Sequence, residues 1–300
     1  MNHLAIDTTR RVVLRCGGGV LLASAGVLAG CAAPAPRAGE RLLDLRSGGS
    51  LSAAGLVEAM RASDVVLLGE RHDNARHHAL RGALVEAVGP QAVVVAEHLP
   101  RGARLPEGVS LEAGLRGAGF DAMAWQWPLH EPLFAAVVRG GVRLVGGNLA
   151  VDEARRIARA GESAWDAEVA TVLRQAPLAA AAQRALDADL LAGHCGHLSA
   201  QRLPAMRAAQ RARDAAMWLA LRAHPAHPAI LVAGNAHVRL DYGVGQLIDA
   251  LQPQARRLSV GFLEADEPLE AAAGRYTHVW VTAPLPRVDP CTAFGRPAAR

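Results

Sequence analysis

Short, almost uninterrupted apolar segments alternate with helical patterns along most of this chain, and this alternation limits the possible folds. The apolar segments lie at residues 64–69, 92–96, 142–145, 230–233, 258–263 and 278–282. Strands that are buried on both faces read as apolar runs, because helices cover both sides of a parallel sheet. We therefore predict an α/β fold, in which a mostly parallel sheet is flanked by helices.

A long, mainly helical block interrupts the alternation at about residues 152–223, with expected breaks at Gly161 and Pro177. We interpret it as a helical insertion subdomain beside the sheet. The predicted organisation is a leader over residues 1–30, a tether rich in Ala, Pro, Gly and Arg over 31–50, and a folded domain over 51–300.

Polar side chains follow three of the predicted strands at the point where each strand ends. Glu70 and His72 follow the first strand, Glu97 follows the second, and His237 follows the strand at 230–233. The carboxyl ends of parallel strands lie along one edge of a sheet, where open α/β folds place their ligand crevice. Two carboxylates and two imidazoles can hold a divalent metal, or a metal beside a general base. Each residue alone has an ordinary structural interpretation, so only their combination predicts a site.

Neighbouring residues add further expectations about this crevice. Gly69 and Gly234 precede the polar residues and would let a ligand approach the backbone closely. His77 and His78 are adjacent on a predicted helix, so they point about 100° apart and we expect one of them to face solvent. Trp125 either belongs to the core or lines a flat pocket.

The first thirty residues have the order of an export signal. Three arginines within residues 10–15 precede an apolar run at 20–28, which is shorter than the ~20 residues that a membrane span requires. The run ends in Leu-Ala-Gly-Cys31, which resembles the lipobox of bacterial lipoproteins. We expect a lipid on Cys31 and anchoring in the cell envelope. Ala32 is not acidic, which favours the outer membrane, and both the Sec and the twin-arginine export routes stay open.

Charge and residue types exclude several classes of function. The formal net charge is +4, and removal of residues 1–30 leaves about +2, so nothing indicates a nucleic-acid partner. Every basic residue is arginine, which excludes a Schiff-base lysine and a P-loop lysine.

Cys195 and Cys291 remain beside Cys31 after cleavage. An oxidising compartment favours a disulfide between them, with two free thiols as the alternative.

Three blocks of sequence carry a family resemblance. They are Gly-Glu-Arg-His at 69–72 with the histidines at 77 and 78, His-Cys-Gly at 194–196 with the helix after it, and Leu-Val-Ala-Gly-Asn-Ala-His-Val-Arg at 231–239 with Tyr242. Over roughly residues 60–285 the chain resembles the ChaN-like haem-binding lipoproteins of the Tiki and erythromycin-esterase superfamily. The resemblance implies non-covalent haem as the cofactor, and a haem face shared between two protomers would give a homodimer.

Non-covalent haem needs an apolar slot with an axial His, Tyr, Met or Cys, and the absence of Cys-x-x-Cys-His excludes c-type attachment. The candidate ligands near the crevice are His72, His237 and Tyr242. Our leading hypothesis is an envelope lipoprotein that binds haem in iron uptake. The alternative is a metal-dependent hydrolase of esters or peptides, in which Glu70, His72, Glu97 and His237 hold a metal or act as acid and base. A third hypothesis is a structural envelope protein with a relic site.

Overall fold

The computed structural model describes residues 33–106, 108–224, 226–289 and 291–292, so Cys31 and the predicted signal segment lie outside the described residues. The strands are β1 Arg41–Asp44, β2 Val65–Leu68, β3 Val93–Pro100, β4 Arg143–Asn148, β5 Ala229–Val232, β6 Arg257–Glu264 and β7 His278–Thr282. The α-helices are α1 Ala53–Arg61, α2 Ala75–Val88, α3 Leu111–Gly117, α4 Glu131–Arg139, α5 Val151–Ala160, α6 Ala167–Gln175, α7 Ala180–Gly193, α8 Leu203–Arg222 and α9 Val244–Leu251.

The described strands form one sheet in the order β1-β7-β6-β2-β5-β3-β4. All neighbouring pairs are parallel except β1 with β7, which is antiparallel. Parallel neighbours cannot be joined by a tight hairpin, so most connections pass through helices on the two faces. Each of the six apolar segments contains or overlaps a strand, and the predicted mostly parallel α/β fold is confirmed.

The central strand β2 shows why helices cover both faces. Val65 and Leu67 belong to a core shared with α5, α6, α8 and α9, whereas Val66 and Leu68 belong to a core shared with α1, α2 and α4. Successive strand residues point to opposite faces, so an unbroken apolar run requires a covering layer on each side. Full burial of each such side chain contributes about 1.5–3 kcal/mol to folding.

The block predicted as a helical insertion contains α5 to α8 and the short 3-10 helix Gly161–Ala164, with no strand among its described residues. Its last helix, α8, packs directly on the sheet, because Ala212, Ala216 and Met217 lie in the same core as β2 and β3. Helix α8 is therefore one of the layers that cover the sheet. No helix in the described part of the chain is long and apolar enough to cross a membrane.

The folded domain begins earlier than the predicted tether boundary at residue 50. Strand β1 lies within that segment, and Leu42 is buried there. Just before β1, Glu40 accepts hydrogen bonds of 2.7 and 2.9 Å from Arg76 at the start of α2. The surrounding Arg, Gly and Ser residues have the composition of a linker, so the sequence did not reveal β1, in which Leu42 is buried and Leu43 packs against the core.

A disulfide joins Cys195, in the turn after α7, to Cys291 near the end of the described chain. The two cysteines are 96 positions apart in sequence. The bond thus attaches the C-terminal segment to the helical block, which is the pairing expected from the sequence.

Candidate functional site

A cleft of about 1520 Å³ opens at the carboxyl ends of the parallel strands. Its walls come from α5, α7, α8 and the segment 119–126. The four residues predicted from the strand ends, Glu70, His72, Glu97 and His237, all line it. The strand ends do converge on one crevice, as the topology of an open α/β sheet requires.

Glu70 is the centre of a group of imidazoles at the base of this cleft. Its side chain is fully buried, and its Oε1 accepts a 2.8 Å hydrogen bond from Nδ1 of His72. The same oxygen lies 3.7 Å from Nε2 of His98 and 3.6 Å from Nε2 of His130. The other oxygen, Oε2, lies 2.6 Å from Nδ1 of His78. One carboxylate therefore faces four imidazoles.

Arg81, which is buried on α2, supplies positive charge to this group. Its guanidinium contacts Glu70 Oε2 and donates a 3.0 Å hydrogen bond from Nη2 to Nδ1 of His78. The ring of His78 in turn donates from Nε2 to the carbonyl oxygen of His72 over 3.0 Å. Burial lowers the pKa of His78 to about 4 and that of Arg81 to about 9. His78 is thus a neutral imidazole that links Arg81 to the His72 backbone.

Two imidazoles of this group have buried nitrogens without a partner. In the part of the chain that the structure describes, neither ring nitrogen of His98 has a hydrogen-bond partner, and Nε2 of His130 has none. The ring of His130 donates from Nδ1 to the carbonyl oxygen of Trp125 over 2.9 Å. Burial lowers the pKa of His130 to about 2 and holds that of His98 well below its usual value. Most buried polar atoms in folded proteins are hydrogen-bonded, so these nitrogens need an explanation.

His237 belongs to a second group of buried charges. Its Nδ1 donates to Asp214 Oδ1 over 2.7 Å, and its Nε2 lies 3.3 Å from Glu97 Oε1. Burial alone would lower the pKa of His237, but the carboxylates of Glu97 and Asp214 raise it to about 10. Burial would likewise raise the pKa of Glu97, but His237 holds it well below the usual value. His237 is thus an imidazolium between two acids, and it has no free nitrogen for a metal or haem iron.

The glycines beside these residues make room for protein side chains. A Cβ on Gly69 would overlap Oδ1 of Asn235, and a Cβ on Gly234 would lie 3.0 Å from the ring of His72. The backbone N–H of Gly234 also donates to Glu97 Oε2 over 2.7 Å. At Gly69 the space is thus taken by the protein's own side chains, whereas Gly234 lines the cleft beside His72, so that ligand approach at Gly234 stays a prediction.

The four residues predicted as one metal set divide between the two groups. Glu97 and His237 pair with each other, whereas Glu70 and His72 have His130 as their third member. The ligating atoms of Glu70, His72 and His130 all lie within 4.8 Å of one another. The predicted combination of Glu70 and His72 with Glu97 and His237 is thus corrected, because the latter pair is closed by its own ionic contacts.

Sequence reasoning missed several residues of these groups. His130 is the N-cap of α4, far from any strand end, and nothing in its spacing links it to Glu70. His77 and His78 are both fully buried, contrary to the expectation that one faces solvent. A signal for Asp214 was present: this acid stands on α8 immediately before the apolar run Ala-Ala-Met-Trp, and it is fully buried there.

A family model described as haem-binding uptake, Tiki superfamily, ChaN matches residues 56–248. The chain belongs to the ChaN family. The resemblance seen in the sequence is therefore confirmed. No curated protein matches the sequence.

A solved ChaN structure shares the fold, and other solved structures match with lower TM-scores. The structure described as cofacial haem binding to ChaN of Campylobacter jejuni has a TM-score of 0.65 at 18% identity, covering 82% of this chain and 98% of that chain. The type III effector HopBA1 has a TM-score of 0.41 at 16% identity, covering 86% and 99%. A mutant of the erythromycin esterase EreC in its open conformation has 0.40 at 14%, covering 83% and 84%.

In this ChaN-family chain, Tyr242 is not placed as a free phenol. It is fully buried, and its hydroxyl donates a 2.6 Å hydrogen bond to Asp189 Oδ2. The guanidinium of Arg239 lies over its ring, 4.1 Å from the ring centre. Burial raises the pKa of Tyr242 above its usual value. A phenolate ligand would have to lose this proton and this hydrogen bond, so the geometry argues against the haem-ligand role predicted for Tyr242.

Of the predicted haem ligands, His72 is the one with an accessible ring. Its side chain is 52% exposed, and the ring lies edge-on to Trp125, with ring centres 5.1 Å apart. Its Nδ1 is held by Glu70, and no described residue hydrogen-bonds to its Nε2. A histidine that gives its other N–H to a carboxylate has a fixed ring orientation and a more basic ligating nitrogen.

Proposed function

We propose that this chain binds haem in the cleft, with Nε2 of His72 as an axial ligand. The observation that carries the proposal is the half-exposed ring of His72, whose Nδ1 is held by Glu70 while Nε2 has no hydrogen-bond partner among the described residues. Haem, when bound, would supply an iron that this nitrogen coordinates. Its propionates would accept hydrogen bonds from cationic side chains. Membership of the haem-binding ChaN family supports the proposal.

The lining of the cleft fits an amphipathic, flat ligand. Its apolar residues include Leu99, Trp125, Leu149, Ala154 and Met206. Its arginines include Arg71, Arg155, Arg213 and Arg275. Guanidinium groups bind carboxylates in a planar, two-pronged geometry, so these arginines would hold the propionates while the apolar wall contacts the porphyrin.

Haem titration of the protein is expected to give a saturable shift of the Soret band. His72→Ala should weaken haem binding at least about tenfold and change the Soret position, because the axial ligand is lost. His194 is the other exposed imidazole that lines the cleft. The His194→Ala variant thus tests whether the loss of haem binding is specific to His72. The matched control is His227→Ala, because the side chain of His227 is 73% exposed.

The absence of any Soret change in the wild-type protein would reject haem binding. The metal-dependent hydrolase that uses Glu70, His72, Glu97 and His237 is the alternative outcome. Hydrolysis of an ester or peptide panel, abolished by a chelator and by Glu70→Gln, would replace haem binding as the proposed function.

The envelope role is proposed on the sequence alone. A lipid on Cys31 would anchor the cleft domain to the outer membrane, facing the periplasm, where bound haem can serve iron uptake. Expression in a bacterial host should give a mature protein whose mass includes an acylated N-terminal cysteine. Cys31→Ser should instead give a protein that is not retained in the membrane fraction. An unmodified wild-type N-terminus would contradict the anchor.

A haem face shared between two copies of the chain is part of the same proposal. Sedimentation of the protein with and without haem would test it, with a dimer expected in the haem-bound form. A monomer at saturating haem would exclude a shared face.

A further inference from the structure

We propose that Glu70, His72 and His130 bind a divalent transition-metal ion, with Zn²⁺ as the probe, in the haem-free protein. The site lies at the base of the cleft. It is independent of Glu97 and His237, which are closed on each other and on Asp214.

The distances among these atoms suit a small ion. Oε1 of Glu70 is 2.8 Å from Nδ1 of His72 and 3.6 Å from Nε2 of His130. Tetrahedral zinc binds oxygen and nitrogen at about 2.0–2.2 Å, which places neighbouring ligand atoms about 3.3–3.5 Å apart. The observed separations lie on either side of this value, so small side-chain movements would complete the coordination.

The hydrogen bond of His130 fixes which of its nitrogens can bind an ion. A carbonyl oxygen only accepts hydrogen bonds, so Nδ1 of His130 carries the proton that it donates to Trp125. The unprotonated Nε2 then lies 3.6 Å from Glu70 Oε1, and it is buried without a hydrogen-bond partner among the described residues. A nitrogen lone pair and a carboxylate oxygen this close in a buried position repel each other, and a cation between them would remove the repulsion. Metal-binding histidines commonly donate the second ring N–H to a backbone carbonyl in this way.

The remaining neighbours complete the site. No described residue hydrogen-bonds to either nitrogen of His98, and its Nε2 lies 3.7 Å from the same Glu70 oxygen, so it is available for a fourth position. Arg81 already contacts Glu70 Oε2, which leaves Oε1 for the ion. The half-exposed His72 gives a path from the cleft. On metal binding, the proton on Nδ1 of His72 moves to Nε2, which faces the cleft, so that the neutral ring ligates through Nδ1.

Binding is measured on the purified, haem-free protein after chelator treatment, with Zn²⁺ calorimetry and with Co²⁺ absorption. We expect one ion per chain and a visible Co²⁺ spectrum of low coordination number. His130→Gln should weaken Zn²⁺ binding by at least about 100-fold, the upper end of the loss seen when an outer-shell partner of a metal is removed. The exposed His227→Gln is the control and should bind as the wild type does.

X-ray absorption at the zinc edge of the wild-type protein tests the site without any variant. Three or four nitrogen or oxygen neighbours near 2.0–2.1 Å, with imidazole scattering, are expected. A stoichiometry below one, a hydrated six-oxygen ion, or unchanged binding in a folded His130→Gln protein would each overturn the proposal. Haem binding is read separately from the Soret band, and His130→Gln should retain it, so failure of one proposal is distinguishable from failure of the other.

Discussion

Lowering the pH of the haem-free and metal-free protein from 6.5 to 5 is expected to destabilise the fold by about 5 kcal/mol through His77, His78 and His130 alone. Four fully or almost fully buried histidines have pKa values far below that of free histidine. Burial lowers the pKa of His77 to about 3, of His78 to about 4 and of His130 to about 2, and it holds that of His98 well below the usual value. Below pH 6.5 the unfolded chain binds protons that the folded chain excludes.

The sign follows from proton linkage. Since the unfolded state binds more protons below pH 6.5, the free energy of unfolding falls as the pH falls. For each such histidine the slope is about 0.7 kcal/mol per pH unit at pH 6.5 and approaches about 1.4 kcal/mol per pH unit at lower pH. His237 acts in the opposite range: its pKa is raised to about 10. Its contribution is complete below pH 6.5 and is lost as the pH rises to about 10. We therefore expect maximum stability near neutral pH.

Urea unfolding at half-unit pH steps, after chelator treatment, measures this dependence. Between pH 6.5 and 5, the free energy of unfolding should fall several times more than it does in a protein whose histidines are exposed. His77 donates from Nε2 to Thr282 Oγ1 over 3.0 Å, and His77→Gln can keep a donor there, so it should reduce the acid slope by about 1.4 kcal/mol per pH unit. His227→Gln, at an exposed position, should leave the slope unchanged. A stability that is flat between pH 6.5 and 5 would contradict the buried neutral state.

The fold could be predicted from the sequence because burial on both faces leaves a local signature. Val65 to Leu68 alternate between two cores, yet both sets are apolar, and that run alone indicates a parallel strand between helical layers. The convergence of Glu70, Glu97 and His237 was predictable for the same reason, since topology brings the carboxyl ends of parallel strands together. The β1 edge strand was not predicted because it is only four residues long, with the buried Leu42 and the partly buried Leu43 between two charged residues.

The partners within the site could not be predicted, because they depend on side-chain directions and on residues distant in sequence. His130 reaches Glu70 from the start of α4, and Asp214 reaches His237 from the middle of α8. The chain positions of these pairs carry no periodic signal. The sequence therefore identified the edge of the sheet but joined acids and imidazoles that the structure separates into two groups.

Replacing His237 is expected to cost about 3–5 kcal/mol of stability, because His237→Ala leaves two buried acids facing each other without their cation. Glu97 and Asp214 are both almost completely buried, and each has the imidazolium as its ionic partner. One Asp214 oxygen, Oδ2, already has no hydrogen-bond partner. The loss of His237 would therefore force protonation of one acid, or entry of water, at a site that lines the cleft.

The double variant separates this ionic cost from simple loss of packing. If the destabilisation comes from unpaired charge, His237→Ala combined with Asp214→Asn should be more stable than His237→Ala alone, because one of the two uncompensated acids is gone. If the loss is one of packing, the second substitution should lower stability further, by about the amount it costs in the wild type. Chemical unfolding of the four proteins at pH 7 gives the coupling free energy. A coupling near zero would show that the imidazolium does not hold the acids in place.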